Sequence, residues 1–231
     1  MRSHVNRPAL VRQLSGLLPD GGGALGEPPR QDLAERLAHW LNVADAIQLS
    51  SALPSIAALG ARASAQPAPQ AASVAALQAE LARVRGLLTQ SITARDPRHR
   101  TDPNDLDTEL ALALQRHQDQ QRRMEMSVDA LRGHVRQTLA KSTPRLVQLA
   151  ALDALMDQML GGREQRLLGS LPAHLKARFA RLRRQAATHT DPADLSWLSD
   201  FHTELDQTLL AELDHRLQPI TGLIESFALE A

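Results

Sequence analysis

The sequence predicts an all-α fold: an elongated helical bundle or coiled-coil-like body with a small N-terminal helical module. Three observations lead there. Leu (40) and Ala (36) make up a third of the 231 residues, and both enter helices at little entropic cost. Aromatic residues are only 2% of the chain, with no Tyr, which leaves little material for a sheet. Apolar residues also recur every three or four positions over most of the chain, the period of a helix with one buried face. A core of Leu and Ala makes smooth helix–helix seams rather than deep aromatic pockets.

Taken in order, Leu10, Leu14, Leu17 and Leu18 define a short first helix, stopped by the breaker cluster Pro19-Asp20-Gly21-Gly22-Gly23. A second helix follows Pro28-Pro29, with Leu33, Leu37, Trp40, Leu41, Ala44 and Ile47 on one face, and ends or kinks at Pro54. Residues 1–60 are read as the N-terminal module. Residues 61–72 fall in an Ala/Pro/Ser/Gln-rich stretch without periodicity, the composition of a flexible linker. Residues 73–231 are then a helical bundle with antiparallel helix pairing.

Within that bundle, Val74, Leu77, Leu81, Val84 and Leu88 make a heptad seam on a helix from about Ser73 to Ile92. Asp102-Pro103 sets a capping side chain before a proline at the first helical position. The helix it opens reaches about Lys141, with a seam of Leu106, Leu110, Leu114, His117, Gln121, Met124, Val128, Leu131 and Val135. Its centre, residues 115–123, is polar all round, so it is expected to be solvent-exposed or loosely paired. Thr143-Pro144 repeats the cap-then-proline signal for a helix that Gly161-Gly162 should end. Leu168, Leu171, Leu175, Phe179 and Leu182 mark the next, interrupted at Pro172. Asp191-Pro192, with Asp194, resembles a capping box. The last helix runs from Leu195 to Phe227, with a kink expected at Pro219.

Charge is balanced overall, 26 basic against 26 acidic residues, which gives no global attraction to nucleic acid or anionic lipid. The balance is not local. Residues 163–190 hold seven Arg or Lys and one acid, while residues 191–231 hold nine acids and one Arg. Two such helices joined by a turn are suited to pair antiparallel, the charges setting orientation more than stability.

Chemistry-bearing patterns are few. With no cysteine there are no disulfides, thiolate sites or cysteine nucleophiles. Glu212 and His215 form a lone Glu-x-x-His, whereas a di-iron bundle needs two of them and two further Glu; no metal and no cofactor is expected. His117 and Gln121 lie on a helix seam, where polar residues commonly set register. Arg178, Arg181, Arg183 and Arg184 could serve nucleic acid, but they have an acidic helix to face and no aromatics for stacking. Gly21-Gly22-Gly23 lacks the Lys-Ser/Thr of a phosphate loop, and no Ser sits in a nucleophile elbow. No segment reads as a signal peptide or a membrane span, so the expected location is cytoplasmic with no membrane insertion. The residues most suited to contact a partner are Trp40, Leu41 and Ile47 on one amphipathic run, Leu81 and Leu88 on a seam, His117 and Gln121, and Arg181 and Arg184.

The stretch LAERLAHWLNVADAIQLSSAL, Leu33–Leu53, resembles a proteobacterial domain-of-unknown-function family typical of β-proteobacteria. An acidic-Arg-Leu step precedes its Trp, and an Asp-Ala-Ile-x-Leu-Ser step follows. The resemblance carries no activity and no catalytic residues. It implies genes placed beside those of a stator- or Tol/Exb-like inner-membrane protein and an OmpA-like protein, and hence a cytoplasmic accessory of an envelope complex. The expected function is a non-enzymatic helical interaction or scaffold protein, binding protein partners or itself through helices, with no small-molecule substrate evident. A nucleic-acid-associated helical protein and an enzyme with an unrecognised site are the alternatives.

Overall fold

A computed structural model describes residues 42–63, 71–95, 101–187 and 195–230. They form six helices, and no strand occurs among them: α1 (Val43–Arg62), α2 (Ala71–Thr93), α3 (Leu106–Leu139), α4 (Pro144–Leu168), α5 (Leu171–Ala186) and α6 (Ser196–Ala228). The fold is all-α. The predicted first helix, Trp40, Leu41 and the Asp191-Pro192 cap lie outside the described residues.

Several boundaries differ from those expected, each for a local reason. Asn42 is extended (φ −82°, ψ 173°) and caps α1, so a helix begins at Val43, inside the predicted apolar run. Its side chain accepts from the Asp45 N–H at 2.9 Å while the Asp45 carboxylate accepts from the Asn42 N–H at 2.8 Å, a reciprocal capping box. Pro54 sits inside α1 rather than ending it. Asp102-Pro103 starts a turn, not the helix: the Asp105 N–H donates to the Asp102 carbonyl at 3.1 Å. Asp105 is the side chain that caps α3, accepting from the Thr108 N–H at 3.2 Å. At Pro144 the expected start holds, with the Thr143 hydroxyl accepting from the Leu146 N–H at 3.4 Å.

Gly161 and Gly162 do not end α4, which continues to Leu168. Glycine in a helix interior costs only about 1 kcal/mol against Ala, too little to stop a helix that buries Leu168 two turns later. The break comes at residues 169–170, and Pro172 opens α5 in its first turn, where its missing N–H costs nothing.

The described residues divide into two compact units. One holds Glu80–Leu131 and Arg166–Gln218; the other holds Arg132–Gln165 with the described parts of residues 42–79 and 219–230. In the first, α5 and α6 run antiparallel, since Phe179 stacks edge-on against Trp197 and Phe201 (centroids 5.2 and 5.1 Å) while Leu168 and Leu171 cluster with Ala211. Edge-to-face rings add attraction beyond their buried area. Arg178 forks onto Glu204 across the same pair. Arg183 instead reaches Asp107 of α3, at 2.9 Å.

Candidate functional site

The first unit has a polar layer within its apolar core. The buried stripe of α3 reads Glu109, Ala113, His117, Gln120, Met124, Val128 and Leu131, every third or fourth residue as one helix face requires. So one face of the middle of α3 is buried and paired despite its polar composition, while Gln115, Gln118, Asp119, Arg122 and Arg123 are exposed. Leu110 and Leu114, placed on the seam from sequence, are only half-buried. Over this first part Leu spacing alone put the seam one position off, because Ala113 and the buried Glu109 carry no strong apolar signal, whereas His117, Met124, Val128 and Leu131 are buried as expected.

The polar groups of this layer reach other helices. The Gln120 amide donates to the Ser91 carbonyl of α2 at 3.1 Å, and the Ser91 hydroxyl donates back to Gln120 Oε1 at 3.1 Å. Gln121 Nε2 donates to the Glu212 carboxylate of α6 at 3.0 Å. Glu212 is fully buried and also receives Arg216 Nε, at 2.9 Å. Arg116 donates to the Ile92 carbonyl at the end of α2 and, at 3.0 Å, to Asp206 of α6. Asp206 also holds Arg95, at 2.5 Å. Residues 116 and 121 contact 206 and 212, so α3 and α6 run parallel here. A buried charge is tolerable only when it is paired and bonded in this way.

His117 is different. It is wholly buried, and neither ring nitrogen has a hydrogen-bond partner. Burial alone pushes its imidazole down to about 4, so it is neutral at neutral pH. On the rim of the layer, burial together with the Arg95 and Arg116 charges lowers His202 below the usual imidazole range.

The second unit contains an ion-pair ladder that sequence reasoning missed. Arg132 forks onto Asp153 (2.9 and 2.6 Å) and reaches Asp157 at 2.7 Å; Arg136 reaches the same two carboxylates at 2.6 and 3.0 Å. Burial alone would raise Asp153, but the bonds and charge of Arg132 and then Arg136 outweigh it and hold the carboxyl below its ordinary range. The signal was present: two Arg one turn apart on one helix, two Asp one turn apart on the next. Asp45 is held low by its backbone bond at Asn42 and by Arg163, 2.5 Å away.

Also in this unit is an open cavity of about 400 Å³, walled by Leu53, Ile56, Leu146, Leu149, Leu152 and Leu229, with Arg145 and Glu230 on its rim. Beside it, α1 shows most of its surface to solvent. Val43 is 77% exposed and Ile47 63%, and the helix buries only Asp45 and Gly60. By length and composition α1 is apolar enough to cross a membrane, which the sequence reading, taking Pro54 as a break, did not allow for.

The other sequence-derived contact residues are scattered. Leu88 is buried, Leu81 and Arg181 are half-buried, and Arg184 is exposed. His117 and Gln121 come together with Gln120 and Glu212; Ile47 stands on α1. No group of three or more metal-ligating side chains occurs among the described residues. Among known proteins, no curated protein and no solved structure matches the chain. A family model described as Protein of unknown function (DUF3348) matches residues 1–229, and the chain belongs to that family.

Proposed function

We propose that this protein is a non-enzymatic helical interaction protein that binds a protein partner, or a second copy of itself, through helix faces. The exposed apolar surface of α1 carries this reading: Val43 and Ile47 stand in solvent on a helix that buries only Asp45 and Gly60. Large apolar side chains grouped on one exposed helix mark a protein or membrane contact more often than idle surface. The polar side chains of the core support it too, since Arg116, Gln120, Gln121, Arg132 and Arg136 are engaged in joining helices. A cytoplasmic accessory role in an envelope complex, as the family resemblance implies, belongs to the same proposal.

The test compares the full chain with an Ile47→Glu/Ala58→Glu double variant, both sites being exposed. The wild type is expected to elute above its 25.2 kDa monomer mass or to retain a partner stoichiometrically. The double variant should lose that association while keeping its helical circular dichroism. A monomer that retains nothing, or a variant that associates equally well, would overturn the reading.

A further inference from the structure

The exposed face of α1 is graded in bulk along its length. Val43 and Ile47 lie in its N-terminal half, Ala57, Ala58 and Ala61 in its C-terminal half, and Ser50 near the middle; all are exposed. At 100° per residue they occupy one side, opposite Asp45, Ile56 and Gly60. That side has no charge. The helix has two charged residues, Asp45, turned onto Arg163, and Arg62 in the last turn.

We propose that two copies of the chain pair antiparallel through this face, with the two-fold axis level with Ala52. The inference deepens the interaction reading and rests on it. Set this way, Val43 of one copy lies opposite Ala61 of the other, Ile47 opposite Ala57, Ala46 opposite Ala58, and Ser50 opposite Pro54. A large side chain meets a small one at the Val43 and Ile47 positions, so the surface is complementary to itself, as a two-fold interface demands. Parallel pairing would stack Ile47 on Ile47 and leave Ala57 facing Ala57 across a void. Close-packed interfaces disfavour both overpacking and voids.

Charge permits the pairing as well. The chain is formally neutral, so two copies do not repel one another at long range. One helix pair buries less than the roughly 1,600 Å² of a standard stable interface, so the dimer is expected to be weak, forming at about micromolar concentrations or higher.

The chain has no cysteine, so single cysteines report cleanly. Full-length Ile47→Cys and Ala57→Cys chains, each checked for unchanged helicity and melting, are treated at about 100 µM with a short bis-maleimide. Mixed in equal parts, they should cross-link to each other several-fold more than either does alone. In the proposed register the two positions face each other, whereas two copies of one position are about 15 Å apart along the axis. Three results would overturn the proposal. Ile47→Cys could cross-link to itself as efficiently as to Ala57→Cys. No cross-link could form. Or both cysteines could resist maleimide at every concentration, as they would if residues before Asn42 covered the face. A chain that sediments as a dimer but gives no such cross-link would lose this proposal and keep the interaction reading.

Discussion

His117 is a polar residue in the core with nothing to bond, and its cost to the fold depends on pH. Its folded-state value lies near 4, against 6.5 for an ordinary imidazole. Between those values the unfolded chain binds a proton that the folded chain does not, so stability falls with falling pH across that window. The loss is about 3 kcal/mol, complete near pH 4. A His117→Leu variant should be more stable than wild type at pH 7 and should flatten the pH 6.5 to 4 stretch of a urea-denaturation series. An unchanged slope would remove His117 from the account. Asp153 tests the ladder. Asp153→Ala leaves Arg132 and Arg136 half-buried with Asp157 as their one remaining shared carboxylate and should cost about 2–3 kcal/mol. Arg85→Ala breaks an exposed pair with Asp214, half or more of each side chain in solvent, and should cost below about 1 kcal/mol. His117 and Gln121 were legible in the sequence because they fall on the period of α3. Glu212, the acceptor for Gln121, is 91 residues away, and no local pattern signals such a pairing.

At the scale of the element, caps and glycines give the sharpest contrasts. Asn42→Ala removes the capping box and should destabilise α1 by about 1 kcal/mol, read as earlier loss of helicity on heating. Gly162 has open space where a side chain would start, while at Gly60 a Cβ would overlap the Gln148 side chain. Gly162→Ala should therefore stabilise by about 0.5–1 kcal/mol, and Gly60→Ala should gain less because its Cβ must push the Gln148 side chain aside. Stabilisation by Gly162→Ala in thermal melts would confirm that α4 is continuous through Gly161-Gly162. Long periodic helices were legible: α2 was expected over about Ser73–Ile92 and spans Ala71–Thr93. Ends were legible only where a cap had no rival. Thr143 before Pro144 had none, whereas Asp102 competed with Asp105 three residues on, and the turn between them took the proline. Asn42 was hidden because apolar residues keep helical spacing on both sides of it.

For the whole molecule, zero net charge conceals a strongly basic stretch followed by a strongly acidic one. Their residues are used in several directions: Arg178 meets Glu204 on the acidic helix, Arg183 meets Asp107, and Arg163 meets Asp45. Charge patterning could suggest a pair of helices; it could not assign each Arg its partner, which depends on packing between segments far apart in sequence. The all-α class was legible from composition because Leu and Ala leave little alternative. What composition could not show is which apolar face stays uncovered. Ile47 is one of a long series of similarly spaced apolar residues, and only the three-dimensional arrangement separates it from buried Leu88. The central claim is that this uncovered face binds a second copy of the chain. It is tested most directly by sedimentation velocity of the full chain from about 1 to 200 µM, beside the Ile47→Glu/Ala58→Glu variant. The wild type should shift from monomer towards dimer across that range while the variant stays monomeric with unchanged helicity. Superimposable profiles for the two proteins would contradict it.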